Sequence, residues 1–137
     1  MIVLDSSFLV AFHNHDDVHH ESAAEAMGEL LDGKWGEALL PEYVFVEVTT
    51  VLAARRNLSA AIQVGEILLE ARELELVPCR EILTEAFEVF RGQKGRKVLS
   101  FADSAIVAIA RRRKAEFIAT FDRGFEQIKD LAIVPGK

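Results

Sequence analysis

With a single cysteine, Cys79, no disulfide can form within this chain, and a reducing compartment is the simpler expectation. A thiol nucleophile needs a base and an electropositive setting. Cys79 instead follows Pro78 and the strand-like stretch Leu74 to Val77, so it reads as structural. No stretch approaches the roughly 20 apolar residues that a membrane-spanning helix needs. The first residues have no basic flank, and Asp5 interrupts what would be the apolar region of a signal peptide. These absences predict a soluble, cytoplasmic protein with no membrane association. Positive charge is also scarce: 16 Lys and Arg stand against 22 Asp and Glu, a net charge of -6. Coating nucleic acid non-specifically needs an excess of Lys and Arg facing phosphates, so that class is disfavoured. A nuclease is not, because part of the negative charge can be a cation site. Linkers, repeats and low-complexity tracts are missing too. What is present, 137 residues of which 50% are apolar, suits one domain, residues 1–137, around a single core.

Strand-like and helix-like segments alternate along the chain. Ile2 to Ser7 is a short apolar run ending on a carboxylate and two hydroxyls, the pattern of a buried parallel strand that delivers polar groups to a sheet edge. Ser6 or Ser7 can then cap a helix to Phe12. His13 to Asp17 is a polar loop, and His19 to Leu31 has helical apolar spacing that ends before Gly33. Ala38 to Leu40 reads as the second strand. Pro41 opens a helix over Glu42 to Arg55, since proline lacks only an N–H that a first turn leaves unpaired. Ser59 is expected to cap a helix to about Arg72, followed by a strand at Leu74 to Val77 and a helix at Ile82 to Phe90. The loop Gly92 to Lys97 is glycine-containing and basic. Ser100 opens an apolar helix to about Arg113; Phe117 to Thr120 is a strand, Phe125 to Ile128 a helical turn, and Leu131 to Val134 the last strand. Such alternation implies βαβ units and a mainly parallel sheet covered on both faces, a three-layer α/β/α sandwich.

Four acids fall where such a sheet concentrates chemistry, yet each also has a plain structural reading. Asp5 ends the first strand, and ligands in open α/β sheets bind outside the carboxyl ends of strands, but it could equally cap the first helix. Asp103 sits in Ser-Phe-Ala-Asp, the capping-box pattern, ahead of the unbroken apolar run Ala105 to Ala110. Asp122 ends a strand as Asp5 does, but before Arg123 and Gly124 it could be an ordinary turn residue. Glu47 is flanked by Val44, Val48 and Val51 at helical spacing, which places its carboxylate on or beside the inward face, where an unpaired glutamate is rare. If the four meet about 5 Å apart, each pair repels by roughly 3 kcal/mol at an effective dielectric of about 20. Together they would exceed the roughly 5 to 15 kcal/mol by which a domain is stable. Some must then take up protons, or a cation must sit among them, and an all-oxygen site suits Mg²⁺ or Mn²⁺.

The four segments, Ile2 to Ser7, Pro41 to Glu47, Phe101 to Ala110 and Ile118 to Phe125, occur in an order that resembles the PIN-domain ribonuclease family, in particular the VapC-type toxins of toxin–antitoxin pairs. The likeness covers nearly the whole chain. It implies a metal-dependent endoribonuclease acting on an RNA substrate, with Asp5, Glu47, Asp103 and Asp122 as catalytic residues and ligands of one or two Mg²⁺ or Mn²⁺ ions. Ser7 and Thr120 match the small polar residues beside the acids and are assigned to orienting a carboxylate, a water or a phosphate. The expected reaction is metal-assisted hydrolysis leaving a 5′-phosphate and a 3′-hydroxyl. A small antitoxin partner and a homodimer are also implied; exposed apolar residues on the Ser59 to Arg72 or His19 to Leu31 helix could supply the dimer interface. Many relatives carry another acid where Gly124 stands, which leaves one or two ions open.

Lys94, Arg96 and Lys97, in the loop before the Asp103 helix, are the expected guides for RNA. Arg111, Arg112, Arg113 and Lys114 could grip phosphates or simply complement a helix end. His13, His15, His19 and His20 could bind zinc or form a solvated face, and the polar loop without cysteine favours the latter. Two readings compete with the nuclease. One is a phosphoryl-receiver-like signalling module, against which Asp5 stands alone before serines; the other is a catalytically silent RNA- or protein-binding member of the same fold.

Overall fold

The computed structural model describes residues 1–95 and 97–136. Five short strands, β1 (Ile2–Leu4), β2 (Ala38–Pro41), β3 (Leu74–Val77), β4 (Phe117–Ala119) and β5 (Ala132–Val134), form one sheet in the order β3-β2-β1-β4-β5. Every neighbouring pair is parallel. Parallel neighbours need crossover connections, and six helices supply most of them: α1 (Ser6–His13), α2 (His20–Leu31), α3 (Glu42–Arg55), α4 (Leu58–Glu70), α5 (Leu83–Arg91) and α6 (Phe101–Arg113). Right-handed crossovers running β1 to β2 to β3 put α1 to α4 on one face, and the return to β4 puts α5 and α6 on the other. The three-layer α/β/α sandwich is therefore realised with a fully parallel sheet. Because both faces are covered, β1 is apolar throughout, and Ile2, Val3 and Leu4 are all fully buried.

The sheet order also locates a site. From β1 the chain builds one way to β2 and β3, then returns to add β4 and β5 on β1's other side. Strand order reverses between β1 and β4, and a crevice opens at their carboxyl ends. Asp5 follows β1 there, and Thr120 to Asp122 follow β4. Helix α6 runs behind this edge with Ser104 through Ala110 buried without a break. At the same end Tyr43 of α3 meets Phe101 of α6 edge to face, with ring centroids 6.3 Å apart, so the two helix starts are brought together.

Two local expectations are corrected. Helix α4 is capped by Asn57, whose Oδ1 accepts from the Ala60 N–H at 2.7 Å; Ser59 lies inside the first turn. Asparagine and serine are comparable caps, and the two-residue shift is decided by where the chain leaves α3. We expect Asn57→Ala to cost about 1 kcal/mol in urea denaturation and Ser59→Ala less than half of that; equal costs would reject the assignment. The last helical turn spans Arg123–Gln127 as a 3₁₀ segment, two residues earlier than expected at its start, because Asp122 Oδ1 accepts from the Gly124 N–H at 2.8 Å and caps it.

A candidate acidic active site

Asp5, Glu47, Asp103 and Asp122 all line one cavity of about 480 Å³ at the β1/β4 edge. Asp5 is 3% exposed. Its Oδ2 accepts from Ser7 Oγ at 2.7 Å and from Thr120 Oγ1 at 2.6 Å, so Ser7 and Thr120 both act on this carboxylate. Although Asp5 stands at the N-cap position of α1, its side chain makes no cap bond. The two hydroxyls are 3.1 Å apart and extend the network: Ser7 Oγ accepts from the Phe121 N–H at 2.9 Å, and Thr120 Oγ1 from the Asp122 N–H at 2.9 Å. The turn after β4 is thereby tied to the start of α1. Burial pushes the Asp5 carboxyl above its ordinary value, against its hydrogen bonds, and the nearby Glu47 adds to the rise.

Glu47, half-buried on α3, accepts from Ser6 Oγ. Asp103 completes a capping box with Ser100: its N–H donates to Ser100 Oγ at 3.0 Å and its Oδ2 accepts from the Ser100 N–H at 3.3 Å. The structural reading and the site placement thus hold together. Burial, then the charges of Asp5 and Asp122, push Asp103 up to about 6 despite the Ser100 bonds. Asp122 differs. Burial would raise it, but Lys97 Nζ at 2.8 Å and the Gly124 N–H hold it below the usual carboxylate range. The expected crowding of charge therefore falls on Asp5 and Asp103, while Asp122 carries its own counter-ion. A Cβ at Gly124 would come within 3.1 Å of Asp122 Oδ1 and 3.3 Å of Lys97 Cδ, so a further acid at that position would press on this pair.

As a donor set the four carboxylates of the cavity fit a hard divalent cation, being all oxygen and including two, Asp5 and Asp103, whose charge burial disfavours. Among the described residues, however, no three His, Cys, Asp or Glu side chains stand close enough to hold one ion as they are placed. Coordination by three or more requires the acids to converge further.

Two cavity residues, Arg55 and Asp17, were missed by sequence reasoning, and a third, His19, was weighed only as a zinc ligand or part of a solvated face. Arg55 lies eight residues after Glu47 on α3, and Glu47, Val51 and Arg55 share a helix face that lines the cavity. That spacing was a usable signal. Asp17 and His19 come from the connection between α1 and α2, where no periodicity marks direction. Of the expected RNA guides, Lys97 is at the site through Asp122, Lys94 is exposed and outside the cavity lining, and Arg96 lies outside the described residues. Arg111, Arg112 and Arg113 pair with Asp130, Glu85 and Glu75 around the far end of α6, as helix-end cations do. His20 Nδ1 contacts the Ala11 carbonyl at 2.9 Å, His15 tilts against His20, and His19 stacks on Phe121. Cys79 is 1% exposed, and burial pushes its thiol up, away from the nucleophilic thiolate.

The family model for the PIN domain matches residues 2–131. The chain belongs to the PIN-domain family. Solved structures agree with this fold. VapC20 of Mycobacterium tuberculosis, described as a sarcin-ricin-loop-cleaving toxin, superposes with a TM-score of 0.81 at 22% identity, covering 93% of this chain and 95% of that one. VapBC2 of Rickettsia felis, bound to a DNA fragment from its promoter, gives 0.71 at 20% identity with 97% of each chain covered. A toxin–antitoxin complex from Klebsiella pneumoniae gives 0.66 at 13% identity, with 96% of each covered. At these identities the likeness speaks to the fold alone. No curated protein matches the sequence. No helix of this PIN domain, among the described residues, is long and apolar enough to cross a membrane.

Proposed function

We propose that this PIN domain is a cytoplasmic, divalent-metal-dependent endoribonuclease that hydrolyses RNA phosphodiester bonds, as the toxin half of a toxin–antitoxin pair. The observation that carries the reading is the gathering of Asp5, Glu47, Asp103 and Asp122 in one cavity at the strand-order switch point. These four would hold one or two Mg²⁺ or Mn²⁺ ions. A cation bound there would supply a water of lowered pKa and offset charge on the phosphodiester. Ser7 and Thr120 fix the Asp5 carboxylate. Ser6 holds Glu47, and the Ser100 capping box holds Asp103. Arg55 on the cavity wall, and Lys97 beside Asp122, are the cations placed to meet an RNA phosphate.

Helix α4 leaves Leu58, Ile62, Ile67 and Leu69 each at least half exposed. Apolar surface of this kind supports a protein contact, an antitoxin or a second copy of the chain. A silent member of the fold is disfavoured because none of the four acids is missing and all reach the same cavity.

The reading is tested by incubating the purified protein, freed of any partner, with a pool of structured and single-stranded RNAs, with Mg²⁺ or Mn²⁺ and with a chelator. Cation-dependent cutting supports it, and chelator-resistant cutting argues against the site. Thr120→Val, which takes one hydroxyl from Asp5 without changing side-chain shape, is expected to weaken cutting by about 10- to 100-fold, the usual effect of losing a group that orients a metal ligand. A Thr120→Val protein as active as the parent would remove that role.

A further inference from the structure

Beside the acidic cavity lies a second one of about 540 Å³, and His19, Phe121 and Asp122 line both. Cleavage as described above makes no use of it. Its shared wall is a ladder of rings. Fully buried Phe8 stacks with Phe121 at a centroid distance of 6.2 Å and an interplanar angle of 22°, and Phe121 stacks in turn with His19 at 4.4 Å and 5°. The ladder runs from the core to an exposed imidazole. His19 is held in place through its backbone N–H, which donates at 2.9 Å to Oδ1 of Asp17, itself on the wall of the acidic cavity. Around the second cavity, Ile133 and Pro135 contribute apolar surface, while Ser22 and the ion pair of Arg123 with Glu126, 3.0 Å apart, contribute polar groups.

We propose that the second cavity receives one unpaired nucleobase of the RNA, adjoining the phosphodiester in the acidic cavity, with the base stacked on His19 as a further ring of the ladder. The inference rests on the ribonuclease reading and deepens it by naming a subsite. Proteins that read single-stranded RNA stack splayed bases on aromatic or imidazole rings and bond their edges with polar side chains. Both kinds of group are present here, and the cavity's size lies within the range of small-ligand sites. A base paired in a duplex must first leave its stack, at a cost of a few kcal/mol, so cutting beside an unpaired base is favoured.

The test combines binding and cutting. Adenosine, guanosine, cytidine and uridine 5′-monophosphates, which contain no phosphodiester to cut, are titrated into the wild-type protein while the histidine ring protons are followed by NMR. At least one nucleotide is expected to move the His19 signals upfield by stacking. His19→Ala is expected to weaken that binding by about 5- to 150-fold, the loss typical of a truncated stacking ring, and His19→Phe to restore it. With cleavable RNA, His19→Ala should raise KM and lose the base preference beside the cut, and His19→Phe should recover both. If no nucleotide moves His19, or if His19→Ala binds nucleotides and selects bases as the parent does, the subsite is absent although cutting continues. Failure of the ribonuclease reading itself shows separately, as RNA left uncut by the wild type with Mg²⁺ and with Mn²⁺.

Discussion

Asp5→Asn is expected to lower RNA cleavage by about 100- to 1,000-fold while leaving the protein folded, the scale set by removal of one preorganised electrostatic group from an active site. Asparagine has the shape of aspartate and keeps an oxygen to accept from Ser7 and Thr120, so the network that ties β4 to α1 persists. Only the charge goes. The substitution also checks independently that Asp5 does not serve as a helix cap, in keeping with the absence of a cap bond from its side chain. As helix caps, asparagine and aspartate are near equals, so a capping role would leave activity unchanged. As a cation ligand, the neutral amide is a poor replacement. Stability should hold or rise when no divalent ion is present, because burial already pushes the Asp5 carboxyl up and works against its charge. Single-turnover cleavage measured beside a melting curve decides the matter. An Asp5→Asn protein cutting within tenfold of the parent would place the chemistry elsewhere.

Without divalent cations, stability should fall as pH rises from about 4 to about 6, and adding Mg²⁺ should reverse the fall. Asp103 sets the window, its folded value being pushed up to about 6 from 3.8. Between those values the folded state binds more protons than the unfolded one, so each step up in pH favours unfolding. The stabilisation is complete below the unfolded value and is lost as pH passes the folded one. A shift of this size would correspond to about 3 kcal/mol for a fully buried group, and solvent screening at the half-buried Asp103 reduces it to about 1 to 2 kcal/mol. Asp5, also raised, acts in the same direction. Asp122 is lowered by Lys97, so its contribution is present at neutral pH and is lost only on acidification below the usual carboxylate range. A cation at 100 times its dissociation constant adds about 2.7 kcal/mol, and more of that survives at pH 7.5 than at pH 5, where protons compete. Urea melts at steps across about pH 4 to 7.5, with and without Mg²⁺, check this for the parent and for Asp103→Asn. A parent with no slope over this window, or an Asp103→Asn protein with the same slope, would remove Asp103 as its source.

The order of elements, the parallel α/β/α build and the ends of β1 and β4 as the place for acids were determined by the sequence itself. Each rests on local signals: the length of apolar runs, helical spacing, proline at the start of α3 and the serine and acid of the α6 capping box. Even there, neighbouring cap candidates such as Asn57 and Ser59 differ too little in preference to be separated without the backbone path. Only tertiary structure decided how the acids differ. Lys97 reaches Asp122 across 25 residues, and Thr120 reaches Asp5 across 115, through a sheet order that brings β4 beside β1. That order makes Asp5 and Asp103 the frustrated acids and leaves Asp122 paired. It also brings His19, from a connection with no periodicity, onto Phe121 after β4. Local preference acts over a few residues and is written in each segment. The charge and stacking environment of a side chain is a sum over neighbours distant in sequence, and it exists only once the sheet has closed.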